Sequence, residues 1–291
     1  MSAFSSRKSG TWNPTYGAII GRSEADLPYK SMNYTTVKYE KQNRVARITF
    51  NRPEIHNAFN ATVITEMLDV FEQIEKDDKV RVVVLTGAGK SFCAGADLNW
   101  MRAVIHQSFE QNLAESNALA ELFHRMYTCK RPIIGRINGA AIGGGAGFVA
   151  VCDIAIAARS AVFSFSEVKI GVIPACIGPY VVKKVGEGRT RELFITGERM
   201  TADRAAEVGL VNKVVDDEQL DTEVEKLTAS ILSSGPEAVA MAKKLISEVP
   251  SMTPKQFKPY TAEMIARLRI SEEGQEGMAA YLHKRKPGWV D

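Results

Sequence analysis

The chain has 291 residues, of which 45% are hydrophobic and 24% charged, and its formal net charge is +3. This composition is that of a soluble globular protein rather than a disordered one, and the length suffices for one large domain, or a core domain with an appendage, with a substantial core. The positive charge is spread without a long basic run, which argues against nucleic-acid binding. No segment has about 18 consecutive apolar residues, so we expect no membrane-spanning helix.

The first 33 residues are rich in Ser, Gly, Pro and Tyr and have no periodicity, which predicts an N-terminal arm over residues 1–33. The apolar core of at least about 7 residues that a secretory signal needs is absent. A transit peptide is an alternative, because residues 1–23 contain Arg7, Lys8 and Arg22 and no acid. Low amphipathicity favours the cytoplasm.

Regular structure is predicted from residue 35 onward. Alternation predicts a strand at 44–50, and amphipathic spacing predicts a helix from about Asn60 to Lys76. The nearly all β-branched run Val80 to Thr86 is typical of a parallel strand covered on both faces. The following predicted elements are a glycine-bracketed loop at 94–97, a long helix at 108–128 and strands at 133–137, 153–158 and 161–165. This repeated strand, strand, helix order predicts an α/β protein built from ββα turns with a parallel component.

Residues 188–209 and 218–286 are predicted to be helical almost throughout. The composition shifts near Val215, so we predict a core over residues 34–215 and a helical C-terminal region over 216–291. This region has more apolar helix faces than one compact core needs, which favours subunit contacts. The cysteines have no C-x-x-C spacing and the histidines no ligand pattern, so we expect reduced thiols and no metal site.

Two glycine-rich segments follow predicted strands and offer backbone N–H groups. The run Ile142-Gly-Gly-Gly-Ala-Gly-Phe148 enters an apolar helix, where first-turn N–H groups favour negative charge. It fits neither the P-loop nor the G-x-G-x-x-G pattern, which weakens a phosphate role. The loop Phe92-Cys-Ala-Gly-Ala-Asp-Leu98 has the same character. Two such donors converging on one oxygen would stabilise an oxyanion, although close helix packing alone also explains such glycines.

Several motifs together carry a resemblance to a known family. They are Asn51-Arg-Pro53, Ser91-Phe-Cys-Ala-Gly-Ala-Asp-Leu98, Asn138-Gly-Ala-Ala-Ile-Gly-Gly-Gly145, Cys152-Asp-Ile154, Glu167 with Gly171-Val-Ile-Pro174, Thr196-Gly197 and Gly209-Leu-Val211. From about Tyr34 to the C-terminus the chain resembles the crotonase family, the enoyl-CoA hydratases and isomerases. The resemblance implies a crotonase spiral of ββα units with a C-terminal helical trimerisation region, assembled as homotrimers or dimers of trimers.

The resemblance also implies an acyl-CoA thioester substrate and a set of site residues. The N–H groups of Ala96 and Gly144 would form an oxyanion hole, and Glu167 would be the catalytic acid/base. Glu167 follows an apolar strand, where desolvation would raise its pKa. The further substrate-binding residues that it implies are Ala58, Ala94, Asp97, Leu98, Asn99, Gly147, Tyr281 and Lys284. No cofactor is implied, because coenzyme A is part of the substrate.

Gly147 stands where the hydratases usually carry a second glutamate, twenty residues before Glu167. In hydration, water must be held and a proton delivered to the other carbon, and two carboxylates can divide these tasks. One base can shift a double bond by removing a proton and returning it, so this glycine favours an isomerase. Residues 166–180 and the glycine run nevertheless resemble the bacterial subgroup of methylglutaconyl-CoA hydratases, many of which have glycine here. A second acid could also come from elsewhere, with Glu115 on the 108–128 helix as one candidate and Asp153 as the next.

We therefore predict an enoyl-CoA hydratase that adds water to a 2-enoyl-CoA, with a branched, methylglutaconyl-like acyl group as one possibility. The alternatives are a Δ3,Δ2-enoyl-CoA isomerase that uses Glu167 alone, and an inactive family member that binds acyl-CoA. A distal carboxylate on the substrate would need a cation or several donors, and no spacing selects one.

Overall fold

The computed structural model describes residues 34–290, so the predicted arm at residues 1–33 lies outside the described residues. Within residues 34–290 there are ten strands and eleven α-helices. The strands are β1 (Val37–Gln42), β2 (Val45–Phe50), β3 (Val82–Gly87), β4 (Ser91–Cys93), β5 (Ile133–Ile137), β6 (Ala140–Ile142), β7 (Ile154–Ala158), β8 (Val162–Ser164), β9 (Arg199–Thr201) and β10 (Lys213–Val215). The helices are α1 (Ala61–Lys76), α2 (Leu98–Val104), α3 (Phe109–Thr128), α4 (Gly144–Val151), α5 (Gly178–Val185), α6 (Glu187–Thr196), α7 (Ala202–Glu207), α8 (Leu220–Leu232), α9 (Pro236–Glu248), α10 (Pro254–Ile270) and α11 (Glu272–Leu282).

The larger of two sheets has six strands in the order β1-β2-β3-β5-β7-β10. Strands β2, β3, β5, β7 and β10 are parallel, and β1 joins the edge antiparallel to β2. All six residues of β3 are buried because both faces of the sheet are covered. Val83 and Leu85 belong to the main core, and Val82 and Val84 pack with residues of α8 on the opposite face. The buried parallel strand predicted from the β-branched run is therefore confirmed.

The smaller sheet has the order β4-β6-β8-β9, with β4, β6 and β8 parallel. The chain alternates between the sheets: β3, β5 and β7 each join the larger sheet, and β4, β6 and β8, which follow them, each join the smaller one. A helix or helical turn follows each pair, which confirms the predicted ββα turns. Neighbouring parallel strands lie about 4.8 Å apart and end at one edge. The segments after β4, β6 and β8 therefore lie side by side.

The structure differs from the sequence prediction at two places after β8. The helical stretch predicted over 188–209 is interrupted, because α6 ends at Thr196, the following Gly197 adopts a left-handed conformation, and β9 then pairs antiparallel with β8. Strand β10, which pairs parallel with β7, was not predicted at all. Both strands have three residues, too few to show a period, and their pairing partners lie far away in sequence. The helical region beyond residue 218 is confirmed as α8 to α11.

Within residues 34–290, no helix is long and apolar enough to cross a membrane.

Candidate active site

The backbone of Ala96 is positioned by a short parallel bridge to Phe59. The Phe59 N–H donates to the Gly95 carbonyl and the Asp97 N–H donates to the Phe59 carbonyl, both at 2.8 Å. In a parallel bridge of this kind, the residue between the two bonded ones directs its own N–H away from the partner strand. Among residues 34–290, no acceptor takes the Ala96 N–H. This donor is therefore available to a ligand.

Gly144 is the first residue of α4, which follows β6 directly. The preceding Gly143 adopts φ +55°, a left-handed conformation that favours glycine, and its N–H donates to the Ser164 carbonyl of β8 at 2.7 Å. First-turn N–H groups have no acceptor within their own helix, and the helix dipole makes this end positive. In the described part of the chain, the Gly144 N–H also has no acceptor outside α4.

The two donor segments approach each other closely because glycine occupies the contact positions. A Cβ added at Gly145 would overlap the Cys93 carbonyl at the end of β4, and one added at Gly95 would lie 2.9 Å from the Ile142 carbonyl. Phe59 contacts both segments: its backbone pairs with Ala96, and its ring Cε1 would lie 2.6 Å from a Cβ at Gly144. The packing therefore brings the Ala96 loop and the start of α4 together.

Glu167 begins a helical turn at Glu167–Ile170, just after β8 and the buried Phe165. Its Oε1 would lie 3.2 Å from a Cβ added at Gly143, so the carboxyl group faces the start of the glycine run. Its Oε2 is buried and has no hydrogen-bond partner in the described structure. Burial raises the pKa of Glu167 above its usual value. A partly buried carboxyl with a spare oxygen, whose pKa no cation within residues 34–290 lowers, is suited to taking up and returning a proton.

The site above Gly147 is filled by apolar side chains. A Cβ added at Gly147 would overlap Ile177 Cγ2 and would lie 3.2 Å from Phe123 Cζ. Ile177 is 2% exposed and immediately precedes α5, so this contact fixes the loop that follows Glu167 against α4. Gly147 thus provides space for packing, and Glu167 has no carboxylate at this position to act beside it.

Most of the other predicted residues lie along the Ala96 loop. Ala58 and Ala94 are brought together because residues 56–59 pair with residues 94–97, with the Ala94 N–H donating to the His56 carbonyl at 3.0 Å. Leu98 is 70% exposed at the start of α2, where Asn99 follows it. The Asp97 carboxylate contacts protein groups, namely Arg52 and the Asn99 N–H. The binding roles of these residues stay predictions.

Tyr281 lies in the last turn of α11 and is 82% exposed, and Lys284 follows just after the helix ends. Near the end of the chain, Arg44 Nη1 donates to the Trp289 carbonyl, and Trp289 Nε1 donates to the Ser233 carbonyl. Within residues 34–290, no hydrogen bond joins Tyr281 or Lys284 to the Ala96 loop or to α4. Their contact with coenzyme A stays a prediction.

Both candidates for a second acid are occupied by other contacts. The Glu115 oxygens accept hydrogen bonds from Trp100 Nε1 and Gln107 Nε2, each at 2.9 Å. Asp153 pairs with Lys243 at 2.6 Å and accepts the Ile133 N–H. These carboxylates join elements of the fold: Glu115 connects α3 to the α2 segment, and Asp153 connects β5 to α9.

Two residues of the site were missed by the sequence reasoning: Arg52 and Ile177. Arg52 belongs to a motif that supports the family resemblance, which was the available signal. Ile177 is an apolar residue whose partner Gly147 lies thirty residues away in sequence, so no spacing identified it.

A sequence model of the enoyl-CoA hydratase/isomerase family matches residues 40–291. The chain belongs to this family. A short-chain-enoyl-CoA hydratase of Clostridium acetobutylicum is 34% identical over 261 residues, which cover 88% of this chain and 97% of the relative. A crotonyl-CoA hydratase of Syntrophomonas wolfei is 34% identical over 267 residues, covering 89% and 99%. The crystal structure of an enoyl-CoA hydratase from Shewanella pealeana superposes with a TM-score of 0.85 at 38% identity, covering 88% of this chain and 97% of that one.

Membership of the enoyl-CoA hydratase/isomerase family confirms the crotonase fold predicted from the motifs. The description of the family names two reaction types, and a shared fold does not select between them. That choice depends on the carboxyl groups and the N–H donors of the site. The methylglutaconyl-CoA subgroup stays a prediction.

Proposed function

We propose that the chain is an enoyl-CoA hydratase that adds water across the C2=C3 bond of a 2-enoyl-CoA thioester. The observation that carries the proposal is the buried, unpartnered Oε2 of Glu167 beside a glycine run whose Gly144 N–H has no acceptor in the described structure. The names of the relatives, which are hydratases of short 2-enoyl-CoA thioesters, support it.

The N–H groups of Ala96 and Gly144 hold the thioester carbonyl oxygen in this proposal. Attack at C3 places negative charge on that oxygen, and two fixed donors stabilise the charge more than they stabilise the neutral carbonyl. Loss of one such donor costs roughly 3 kcal/mol in studied enzymes. The positive end of α4 contributes in the same direction.

Glu167 moves the proton. Its ionised carboxyl takes a proton from water as the water oxygen bonds to C3. The electron pair of the C2=C3 double bond then moves toward the thioester carbonyl, which forms the enolate. The same carboxyl then gives the proton to C2, so Glu167 ends the cycle ionised as it began. One carboxyl group balances the reaction, and both new bonds form on the face of the substrate that Glu167 covers.

The reaction is expected to lose rate in acid at a higher pH than an exposed glutamate would give. Glu167 must be ionised to act as the base, and burial raises its pKa, so kcat/KM should fall with decreasing pH before an exposed glutamate would become protonated. Steady-state hydration of crotonyl-CoA across the acidic range measures this, with circular dichroism at each pH to separate unfolding. A rate that stays flat until the protein unfolds contradicts the role of Glu167 as base.

Isomerisation is the second candidate, and the Gly147–Ile177 contact is the observation that favours it. A single base can remove a proton from C2 of a 3-enoyl-CoA and return it to C4, with the same oxyanion hole holding the dienolate. No water has to be positioned for that reaction.

Incubation with crotonyl-CoA, 3-methylglutaconyl-CoA and 3-hexenoyl-CoA distinguishes the candidates. A hydratase consumes the 2-enoyl absorbance and adds the mass of one water. An isomerase creates 2-enoyl absorbance from 3-hexenoyl-CoA without a change in mass. Loss of absorbance without the added water contradicts hydration, and no reaction with any substrate indicates an inactive binding protein. Turnover of 3-methylglutaconyl-CoA in preference to crotonyl-CoA would support the branched substrate.

The remaining features are part of the same proposal. We expect a homotrimer or a dimer of trimers, with no cofactor beyond the coenzyme A of the substrate, in the cytoplasm.

A further inference from the structure

A largely buried ion pair lies next to the proposed oxyanion hole. Arg52 Nη2 is 2.7 Å from Asp97 Oδ2, and the two side chains are 18% and 9% exposed. The other terminal nitrogen of Arg52, Nη1, donates to the Ala58 carbonyl at 2.7 Å. One planar guanidinium therefore contacts two segments of the chain at once.

The two segments are those that form the bridge at Ala96. Ala58 immediately precedes Phe59, and Asp97 immediately follows Ala96, so Arg52 joins residues on both sides of the Phe59–Ala96 bridge. The Asp97 Oδ1 also accepts the Asn99 N–H at 2.8 Å, which fixes the start of α2. Burial alone would raise the pKa of Asp97, but the Asn99 N–H and Arg52 more than offset this and hold its pKa below the usual range.

The Arg52 backbone is fixed on its other side. Its N–H donates to Asn57 Oδ1 at 2.9 Å, and the buried Asn57 amide nitrogen donates to the carbonyls of Ala88 and Ser91. Ser91 is the first residue of β4, the strand that leads to Ala96. The Arg52 backbone is therefore linked to β4 through the Asn57 side chain, which restricts where the guanidinium can lie.

We propose that Arg52 and Asp97 are positioning residues whose ion pair fixes the Ala96 N–H in line with the Gly144 N–H. The inference rests on the proposed function, because it assigns a role within the oxyanion hole. A donor stabilises an oxyanion only within about 2.7–3.1 Å of it, so a small displacement of residues 95–97 weakens the hole. Arg52 and Asp97 act on the reaction only through the position of Ala96.

Carbonyl polarisation in a bound chromophore reports on this position directly. 2,4-Hexadienoyl-CoA has a conjugated thioester whose absorption moves to longer wavelength when donors polarise its carbonyl. We would measure the shift for the wild-type protein and for the double variant Arg52→Met/Asp97→Asn, which removes the pair without leaving an unpaired buried charge and keeps an acceptor for the Asn99 N–H.

Arg136→Met is the matched control. Arg136 is also 18% exposed and forms two hydrogen bonds with Asp221, at 2.7 and 2.8 Å, but it joins β5 to α8 away from Ala96. Its loss should affect stability without affecting the chromophore. Glu167→Gln is a second control, because it should stop hydration while the spectral shift remains.

The double variant is expected to lose most of the spectral shift and to hydrate crotonyl-CoA with a kcat about 10- to 100-fold lower, while KM changes less than about 3-fold. Arg136→Met should keep both the shift and kcat. If the double variant does not fold, Arg52→Lys carries the test, since it keeps the charge but cannot contact Ala58 and Asp97 with a planar fork.

A full spectral shift and a wild-type kcat in a folded Arg52 variant would overturn the positioning role. An equal loss in Arg136→Met would also overturn it, because the effect would then follow from stability alone. If the wild-type protein itself gives no shift, the oxyanion hole of the proposed function fails, and the positioning role fails with it. Failure of the proposed function is distinguishable from failure of the positioning role alone, because the first is seen in the wild-type protein and the second only in the Arg52 variants.

Discussion

Glu167→Gln is expected to lower the rate of crotonyl-CoA hydration by about 100- to 10,000-fold, because this is the range that general acid–base catalysis by a positioned side chain contributes. The amide keeps the shape of the side chain but cannot accept and return a proton. Steady-state kinetics with purified protein measure the loss. Glu225→Gln, which changes an exposed glutamate of α8, is the matched control and should keep full activity. Full activity in Glu167→Gln would remove this residue from the mechanism.

The same substitution is expected to raise the thermal stability of the protein at neutral pH. The pKa of Glu167 is raised by burial in the folded state, so ionisation is less favourable there than in the unfolded chain. The protonated Glu167 side chain favours the folded state, and this contribution is fully present below the pKa that Glu167 has in the unfolded chain. The contribution is lost as the pH rises through the higher pKa that Glu167 has in the folded protein. The neutral glutamine avoids this loss. Its Tm should exceed that of the wild type at pH 7, and the difference should vanish in acid.

Gly147→Glu is expected to destabilise the protein by about 3–5 kcal/mol rather than to improve hydration. Its Cβ would overlap Ile177 Cγ2, and its carboxylate would lie unpaired among apolar side chains. Chemical denaturation of the single variant gives the loss directly. A single variant as stable as the wild type would show that the loop at Ile177 yields easily.

Gly147→Glu combined with Ile177→Gly tests the cause of that loss. Removing the Ile177 side chain relieves the overlap and opens the site above α4, so the double variant should be more stable than the two separate losses predict. Ile177→Gly alone is the control and measures the cost of the cavity. Strict additivity of the two losses would contradict a direct contact between these positions.

The elements of the fold that the sequence predicted are those with strong local patterns. The helix near Asn60–Lys76 has one apolar face and an Asn60 side chain that accepts the Val63 N–H at its start, and β3 is continuously β-branched. Strands β9 and β10 lacked such patterns, because their stability comes from neighbours far away in sequence. The division of the strands between two sheets is equally non-local.

The candidate site divides in the same way. Ala96, Gly144 and Glu167 belong to motifs, so the resemblance was enough to propose them as site residues. The sequence also showed that a carboxylate is missing at Gly147, but it could not show what replaces it. Ile177 lies thirty residues further along the chain and contacts Gly147 only because α4 and the loop before α5 pack together. Arg52 was visible as a motif residue, yet its two contacts depend on tertiary structure.

The row of segments after β4, β6 and β8 has a consequence for how such a protein can change. Each of the three chemical groups comes from a different turn of the spiral: Ala96 from the first, Gly144 from the second and Glu167 from the third. A substitution in one turn therefore alters one group, while the pairing of the strands in the sheet keeps the distance between the other two groups unchanged. With this construction, a carboxylate at position 147 could be replaced by glycine packed against Ile177 while the two N–H donors and Glu167 keep their positions.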